Sequence, residues 1–581
     1  MKAIKILIED RNYVSWKFCY PDTNIPVTEK DVPELKNVNP IESKLFSRDI
    51  FIFKDSDLHI TKSYLKNSTT IAGVLQLENN KTFGRTTNKK RLLYKCIPDD
   101  KHIPVFLVPY DVKMGFSKVQ KNKYVIFKFD NWNDKHPHGT LIETLGDVDS
   151  LEAFYEYQLY CKSLYHSITE FTKKTRDELN KRTNEDFLEQ IYKNKDFNIE
   201  DRRSEYIFTI DPLNSSDYDD GFSIKKTKED NWLVTVYIAN VYFWMETLGL
   251  WKSFSKRVAT IYLPDRRRPM LPTILSDSLC SLQEKQQRFA LAMDFIVNKQ
   301  GEILNLNDIV YKNVLINVHK NYVYEDPKML AKDNSYSDLF NLSIKMDNTI
   351  KDSHDIVAFW MVLMNMHTGL KMMKDKIGIF RSAKYINAEI VLKDEITVDS
   401  DSLRVIRSWN NISGQYVTYN DDIGNIVHEV MNLKSYIHIT SPIRRLVDLL
   451  NQIMLIEKCS QVTNISNDAK EFLNNWIEQI DYLNTSMRSI RKIQTDCNVL
   501  AKCYNNPEIM EKQYDGVVFD KINKNDGLFS YMVYLKPLKL LSRITTTLDI
   551  HDYSTHEFKI FLFEDEENSK KKIRLQIKNG Q

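Results

Sequence analysis

The sequence predicts an α+β multidomain protein: a central α/β domain flanked by small β-barrels. Three observations support this. Residues 51–147 are short apolar runs of strand length, among them "IFIFKDSDLHI", "TIAGVLQLE", "RLLYKCI" and "KYVIFKFDNW". Residues 206–505 open with strands and continue into long helical patterns. From 514 onward "YDGVVFDKI", "LFSYMVYLKPL" and "HEFKIFLF" alternate like strands again. At 581 residues the chain has room for several domains. The expected division is an N-terminal segment without clear period (1–50), one or two barrels (51–147), a helical connector (148–205), the central domain (206–505) and a last barrel (506–581).

Composition narrows the class. Hydrophobic residues make up 42% and charged residues 28%, which suits large buried cores in a soluble protein. The net charge of +2, from 81 basic and 79 acidic residues, excludes a strongly basic protein but leaves local basic surfaces open. The seven cysteines form no C-x-x-C pair, which argues against a zinc ribbon or disulfide scaffold and for a reducing compartment. The opening "MKAIKILIEDRN" is interrupted by Lys5 and too short for a signal peptide, so an intracellular, cytoplasmic or nuclear, protein is expected rather than a secreted one. The most apolar run, "IVAFWMVLMNM" (356–366), is too short to span a bilayer. It reads as a buried helix capped from the preceding "DSHD", with no membrane partner.

In the first barrel region, basic residues (Lys89, Lys90, Arg91) interleave with aromatics (Phe83, Tyr94, Phe106, Tyr110, Phe127). Two meanings are open. A charged groove with stacking platforms binds single-stranded nucleic acid in this way. Alternatively, the aromatics are barrel core and the lysines are surface.

The densest chemistry lies in "TIDPLNSSDYDDGFSI" (209–224), where Asp211, Asp217, Asp219 and Asp220 crowd the end of an apolar strand. Two carboxylates about 4 Å apart repel by roughly 4 kcal/mol at an effective dielectric near 20. Four must splay into water or take a cation. Oxygen donors without Cys or His nearby point to Mg²⁺ or Mn²⁺ rather than zinc. Two such ions about 3.5–4 Å apart clamp the attacking and leaving oxygens of a phosphodiester. A calcium EF-hand fails on register: with Gly221 sixth, the first and third places fall on Ser216 and Tyr218, and the twelfth on Thr227. A plain acidic turn is the remaining structural alternative.

These residues carry a resemblance. "TIDPLNSSDYDDGFS" closely resembles the T-I-D-x5-D-x-D-D signature loop of the RNB-type exoribonucleases, which include ribonuclease II, ribonuclease R and the catalytic subunit of the eukaryotic exosome. Two further stretches match in the right order: "ATIYLPDRRRPMLPTILSDSLCSLQEKQQRFALAMDFIV" (259–297) and "YIHITSPIRRLVDLLNQIML" (436–455). The resemblance implies a central RNB catalytic α/β domain flanked by OB-type, cold-shock-like RNA-binding barrels, without the exosome subunit's endonuclease domain. It implies a 3′-to-5′ exonuclease that hydrolyses single-stranded RNA to nucleoside 5′-monophosphates, alone or as a subunit of an RNA-decay complex. By the family pattern Asp211, Asp217, Asp219 and Asp220 hold the metal site, with two Mg²⁺ expected and Mn²⁺ as an alternative. Asp219 is the position most critical for cleavage. Arg444 contacts the reacting phosphate. Tyr262 helps hold the terminal nucleotide, and Arg445 is a further substrate contact. The rival expectation is a catalytically weakened RNA-binding subunit.

The third stretch also makes sense on its own. Thr440 or Ser441 suits an N-cap and Pro442 a first helical turn, which places Arg444 and Arg445 at a helix start that already favours anions. The structural alternative for Arg444 is a salt bridge to Asp448, four residues on. Arg266, Arg267 and Arg268 face phosphate or solvent. Two positions depart from the family. "YIANV" places Tyr237 and Asn240 where His and Asp are usual. The helix after the arginine offers Gln494 and Asp496 in place of a glutamate.

Overall fold

The computed structural model describes residues 2–578, apart from 56, 79, 87–89, 112–119, 307–308, 385–397, 410–413, 421–423, 425, 460–461, 463, 525–526 and 566–569. Lys89 therefore lies outside the described residues. The chain divides into two units: residues 1–165, 263–265 and 492–581 form one, and residues 166–262 and 266–491 the other.

The first unit is built from three β modules. "IKILI" (Ile4–Ile8) buries Ile4, Ile6 and Ile8, the period-two pattern of a half-buried strand. It is central to a five-stranded sheet ordered Pro26–Val27, Trp16–Cys19, Ile4–Ile8, Ile50–Lys54 and Asp57–Lys62. Because Ile4 and Lys5 pair with Phe51 and Ile50, the boundary expected at 50/51 falls inside this sheet. The second module is a closed barrel of Ile71–Leu75, Leu92–Pro98, Phe106–Tyr110, Lys123–Asn131 and His138–Asp147. The helix Leu151–Cys161, expected in a connector, packs on this barrel. Ser150 caps it through Ala153 N–H, and Tyr157 stacks on Tyr124 at 4.3 Å. The third module is a five-stranded sheet over Gln513–Ile577.

The barrel settles the fate of most of the interleaved aromatics. Phe106 and Phe127 are fully buried, with ring centroids 5.0 Å apart, and Tyr94 is buried too. They are core, not stacking platforms. Phe83 stays partly exposed, with the Lys81 and Lys95 ammonium groups over its ring.

The second unit is organised by one mixed sheet, ordered Ile199–Asp201, Val310–Val323, Ile207–Asp211, Asp220–Lys226, Trp232–Ala239 and Gln287–Val297. The long strand Val310–Val323 also pairs with Gln287–Val297, so the sheet curls back on itself. The apolar run expected as a short helix is part of a longer one, Ser353–Lys374 of 22 residues, with Asp352 as N-cap to Asp355 N–H. Among the described residues it is the one helix long and apolar enough to cross a membrane, yet half of that stretch is buried in the fold. Ile356, Trp360 and Met364 line its inner face at helical spacing.

Phe127→Ala should cost about 3–5 kcal/mol, because it empties a packed aromatic core. The neighbouring exposed Lys128→Ala should change stability by no more than about 0.5 kcal/mol. Urea unfolding of both variants measures the contrast, and equal effects would refute the burial assigned here.

Candidate active site

The aspartate loop owes its position to strand pairing. Ile207, Phe208, Thr209 and Ile210 are all buried, and their strand runs parallel to Val310–Val323 with Asp211 opposite Val323. Asp211 ends one strand and Asp220 begins the next, and residues 212–219 cross between them. Asn214 takes the left-handed conformation in this crossing (φ 67°), which asparagine tolerates. The second of the three matching stretches pins the loop. Ser281 Oγ donates to Ser216 O at 2.8 Å and accepts from Tyr218 N–H at 3.0 Å. Leu282 N–H donates to Tyr218 O at 3.0 Å.

The four carboxylates meet different partners. Asp219 is 3% exposed; its Oδ1 accepts from Ile443 N–H and its Oδ2 from Arg444 Nε, both at 3.0 Å. Burial pushes its carboxyl up to about 7 against the opposing pull of Arg444 and the Ile443 N–H. Asp217 Oδ1 pairs with Arg267 Nη1 at 2.6 Å, and its Oδ2 accepts from the Tyr262 hydroxyl at 3.1 Å. Asp211 and Asp220 have no cationic partner of this kind. The Oδ2 atom of each is buried and accepts no hydrogen bond. Burial and then neighbouring aspartate charge push both carboxyls up, with the Thr209 hydroxyl opposing at Asp211.

The third stretch delivers its arginines differently from the expectation. The helix starts at Leu446, so residues 442–445 form the turn before it rather than its first turn. Ser441 is not an N-cap there; its Oγ accepts from Arg444 Nη2 at 2.8 Å. The salt bridge to Asp448 is made by Arg445 (Nη2 to Oδ1, 2.8 Å), while Arg444 turns to Asp219. Asp448 is fully buried, and its Oδ1 also accepts from Ser441 N–H at 2.8 Å. Main-chain bonds from Thr260 N to Arg444 O and from Leu446 N to Val258 O (each 2.9 Å) stitch this turn to the strand leading to Tyr262. Thus all seven site residues read from the sequence converge on one cleft of about 800 Å³.

The donor set bears on the expected metal. No three acidic, histidine or cysteine side chains among the described residues are grouped to hold an ion. Two unpartnered, buried carboxylate oxygens on Asp211 and Asp220 nonetheless match Mg²⁺, which commonly takes one or two carboxylates and fills its other places with water and substrate phosphate. The residues fit one hard cation there; Asp217 and Asp219 already have cationic partners.

Sequence reasoning missed Tyr324 and Asn365, and named Asp448 only as an alternative partner for Arg444. Tyr324 lines the cleft, donates its N–H to Asp211 O (3.1 Å) and stacks on His354 with centroids 3.6 Å apart. It stands there because its strand runs beside that of Asp211, a nonlocal pairing no sequence period reveals. Asn365, on the apolar helix, receives Ile439 N–H at 3.0 Å and so fixes the approach to the arginine turn. The two departures have structural roles. Asn240 caps the helix Val241–Thr247 through Phe243 N–H, and the Tyr237 hydroxyl pairs with Ser223 Oγ within the sheet. Gln494 and Asp496 belong to the first unit.

A sheet-borne aspartate loop facing an arginine turn defines a class. Residues 199–352 match the RNB domain, and residues 93–157 match the Dis3-like cold-shock domain 2. Both matches accord with the family that the signature loop resembles. Ribonuclease R of Mycoplasmopsis pulmonis is 22% identical over 361 residues, covering 60% of this chain and 45% of that protein. The chain thus spans under half of that relative's length. Among solved structures, Mycoplasma genitalium RNase R in complex with ribose methylated single-stranded RNA superposes with a TM-score of 0.67 at 16% identity, covering 99% of this chain and 100% of that one. Yeast Ssd1, a pseudonuclease, gives 0.58 at 11% identity, covering 96% and 80%.

Asp448→Ala should destabilise the protein by about 3 kcal/mol, since it leaves the Arg445 guanidinium without its buried partner. Thermal unfolding measures this. A loss under about 0.5 kcal/mol would show that Asp448 does not hold the arginine turn.

Proposed function

We propose that this chain is a metal-dependent 3′-to-5′ exoribonuclease that hydrolyses single-stranded RNA to nucleoside 5′-monophosphates. The observation that carries this reading is the meeting of Asp211, Asp219 and Asp220 with Arg444 in one cleft, although the sequence separates them by more than two hundred residues. Relatives that match are named ribonuclease R and exoribonuclease 2, and RNase R of Mycoplasma genitalium was solved with ribose methylated single-stranded RNA.

Each side chain has a task in this reading. Asp211 and Asp220 hold Mg²⁺ or Mn²⁺, which supplies Lewis-acid polarisation of a phosphate oxygen and an activated water. Arg444 is anchored through Nε on Asp219 and Nη2 on Ser441, which fixes its planar fork toward the cleft for a phosphate. Asp219 therefore orients the arginine as well as adding charge to the site. Tyr262, 39% exposed, offers its ring at the cleft for a base, and stacking accepts any base. Arg445, held by Asp448, adds a second positive charge beside Arg444.

The alternative is an RNA-binding subunit of a decay or transcription complex with weakened catalysis. The likeness to Ssd1 favours it only at the level of fold, since a pseudonuclease shares that fold. The retained aspartates and Arg444 favour the enzyme.

A 5′-labelled RNA with a 3′ single-stranded tail, incubated with the protein and Mg²⁺, should give a ladder descending from the 3′ end, and chelator should abolish it. Asp219→Asn should stop cleavage while RNA binding persists. Arg444→Ala should slow turnover by about 10²–10³-fold with a smaller change in binding. RNA binding without any cleavage by the parent protein would favour the alternative.

A further inference from the structure

Arg267 sits on the two-residue strand Arg267–Arg268, directly opposite Tyr262 in an antiparallel pair. Its guanidinium bridges two carboxylates: Nη1 meets Asp217 and Nη2 meets Asp277. Asp277 is itself held, since the Ser276 hydroxyl donates to its side chain. Tyr262 fills the other oxygen of Asp217, so both carboxylate oxygens of that residue are engaged, and the side chain is only 11% exposed. Arg444 engages Asp219 in the same way. Asp211 and Asp220 are left, each with one buried oxygen that accepts nothing.

We propose that Arg267 takes one of the two cation positions expected of the aspartate loop, so that this chain binds a single divalent ion, at Asp211 and Asp220. The inference rests on the preceding reading that the loop holds a divalent cation. Its ground is charge placement. An arginine guanidinium stays charged at every accessible pH, and its fork matches a carboxylate. A dication brought to Asp217 would face that fixed positive charge at contact distance and would have to displace both Arg267 and Tyr262. Arg444 engages Asp219 and Arg267 bridges Asp217 and Asp277, which leaves the buried oxygens of Asp211 and Asp220 for one divalent ion. Arg267 is therefore a positioning residue for the metal site: it decides how many ions enter, and it keeps Asp217 turned away from the ion that does.

The test counts Mn²⁺ bound to the full chain in the absence of RNA, from the free-ion signal in electron paramagnetic resonance. Surface binding is removed by subtracting the count for the Asp211→Asn, Asp220→Asn double variant. The parent protein should hold one ion per chain. Arg267→Gln, neutral and of similar reach, should hold two, because it frees Asp217. Two ions on the parent protein overturn the proposal, as does none. A folded Arg267→Gln variant that still holds one ion overturns the role given to Arg267. If circular dichroism shows that variant to be unfolded, the count on the parent protein decides alone. A count of two together with chelator-sensitive RNA cleavage would refute this inference and leave the exoribonuclease reading standing. A count of one without any RNA cleavage would do the reverse.

Discussion

Four carboxylates within ten residues repel one another, and the second unit is arranged around that repulsion. Asp219 cannot be solvated away, because it is 3% exposed and leads directly into a strand whose Gly221, Phe222 and Ser223 are buried. Countercharge therefore has to be brought in from elsewhere in the chain. Arg444 and the Ile443 N–H reach Asp219 across 225 and 224 residues of sequence. Arg267 reaches Asp217 from a short hairpin. Each of these donors is in turn fixed: Arg444 by Ser441, the arginine turn by Asp448 and Asn365, and the loop itself by Ser281. A buried charge without such support would neutralise or unfold its surroundings. The order of the three sequence stretches thus reflects one electrostatic problem and its partners.

Much of this was legible in the sequence, for reasons of locality. The aspartate spacing, the buried helix and the terminal strands are local patterns, and the aspartate loop does link two strands. The N-terminal sheet was not legible. Two of its strands, Trp16–Cys19 and Pro26–Val27, are too short for alternation to register, and only Ile4, Ile6 and Ile8 show it. The helix start after Pro442 was misjudged because Ser441 looks like a cap in isolation. Its hydroxyl is taken by Arg444 instead, a choice made by tertiary contacts. The Arg444–Asp448 pair, the structural alternative offered by helical spacing, is made by Arg445 instead for the same reason: no helical turn exists there to present Arg444 to Asp448. Tyr324 depends on a parallel strand pairing that only the folded sheet defines.

The site's chemistry suits a substrate recognised by backbone rather than by base. In the proposed function Arg444 meets the phosphate, and the Tyr262 ring offers a face that any base can use. The fold alone does not decide between cleaving and gripping RNA, since a pseudonuclease shares it. What separates the two is the state of the carboxylates. Asp211 and Asp220 remain buried with oxygens that accept nothing. Unsatisfied buried groups of this kind are costly to keep. A chain that only gripped RNA would gain stability by replacing them.

Hydrolysis by this site is tested by following the fate of water. RNA with a free 3′ end is digested with Mg²⁺ in ¹⁸O-labelled water, and the released nucleotides are analysed by mass spectrometry. Hydrolysis at the 3′ end should yield nucleoside 5′-monophosphates, each carrying one ¹⁸O on its phosphate, because the water oxygen is added there. Release of unlabelled nucleotides, of 3′-phosphorylated products, or of no product at all would contradict it.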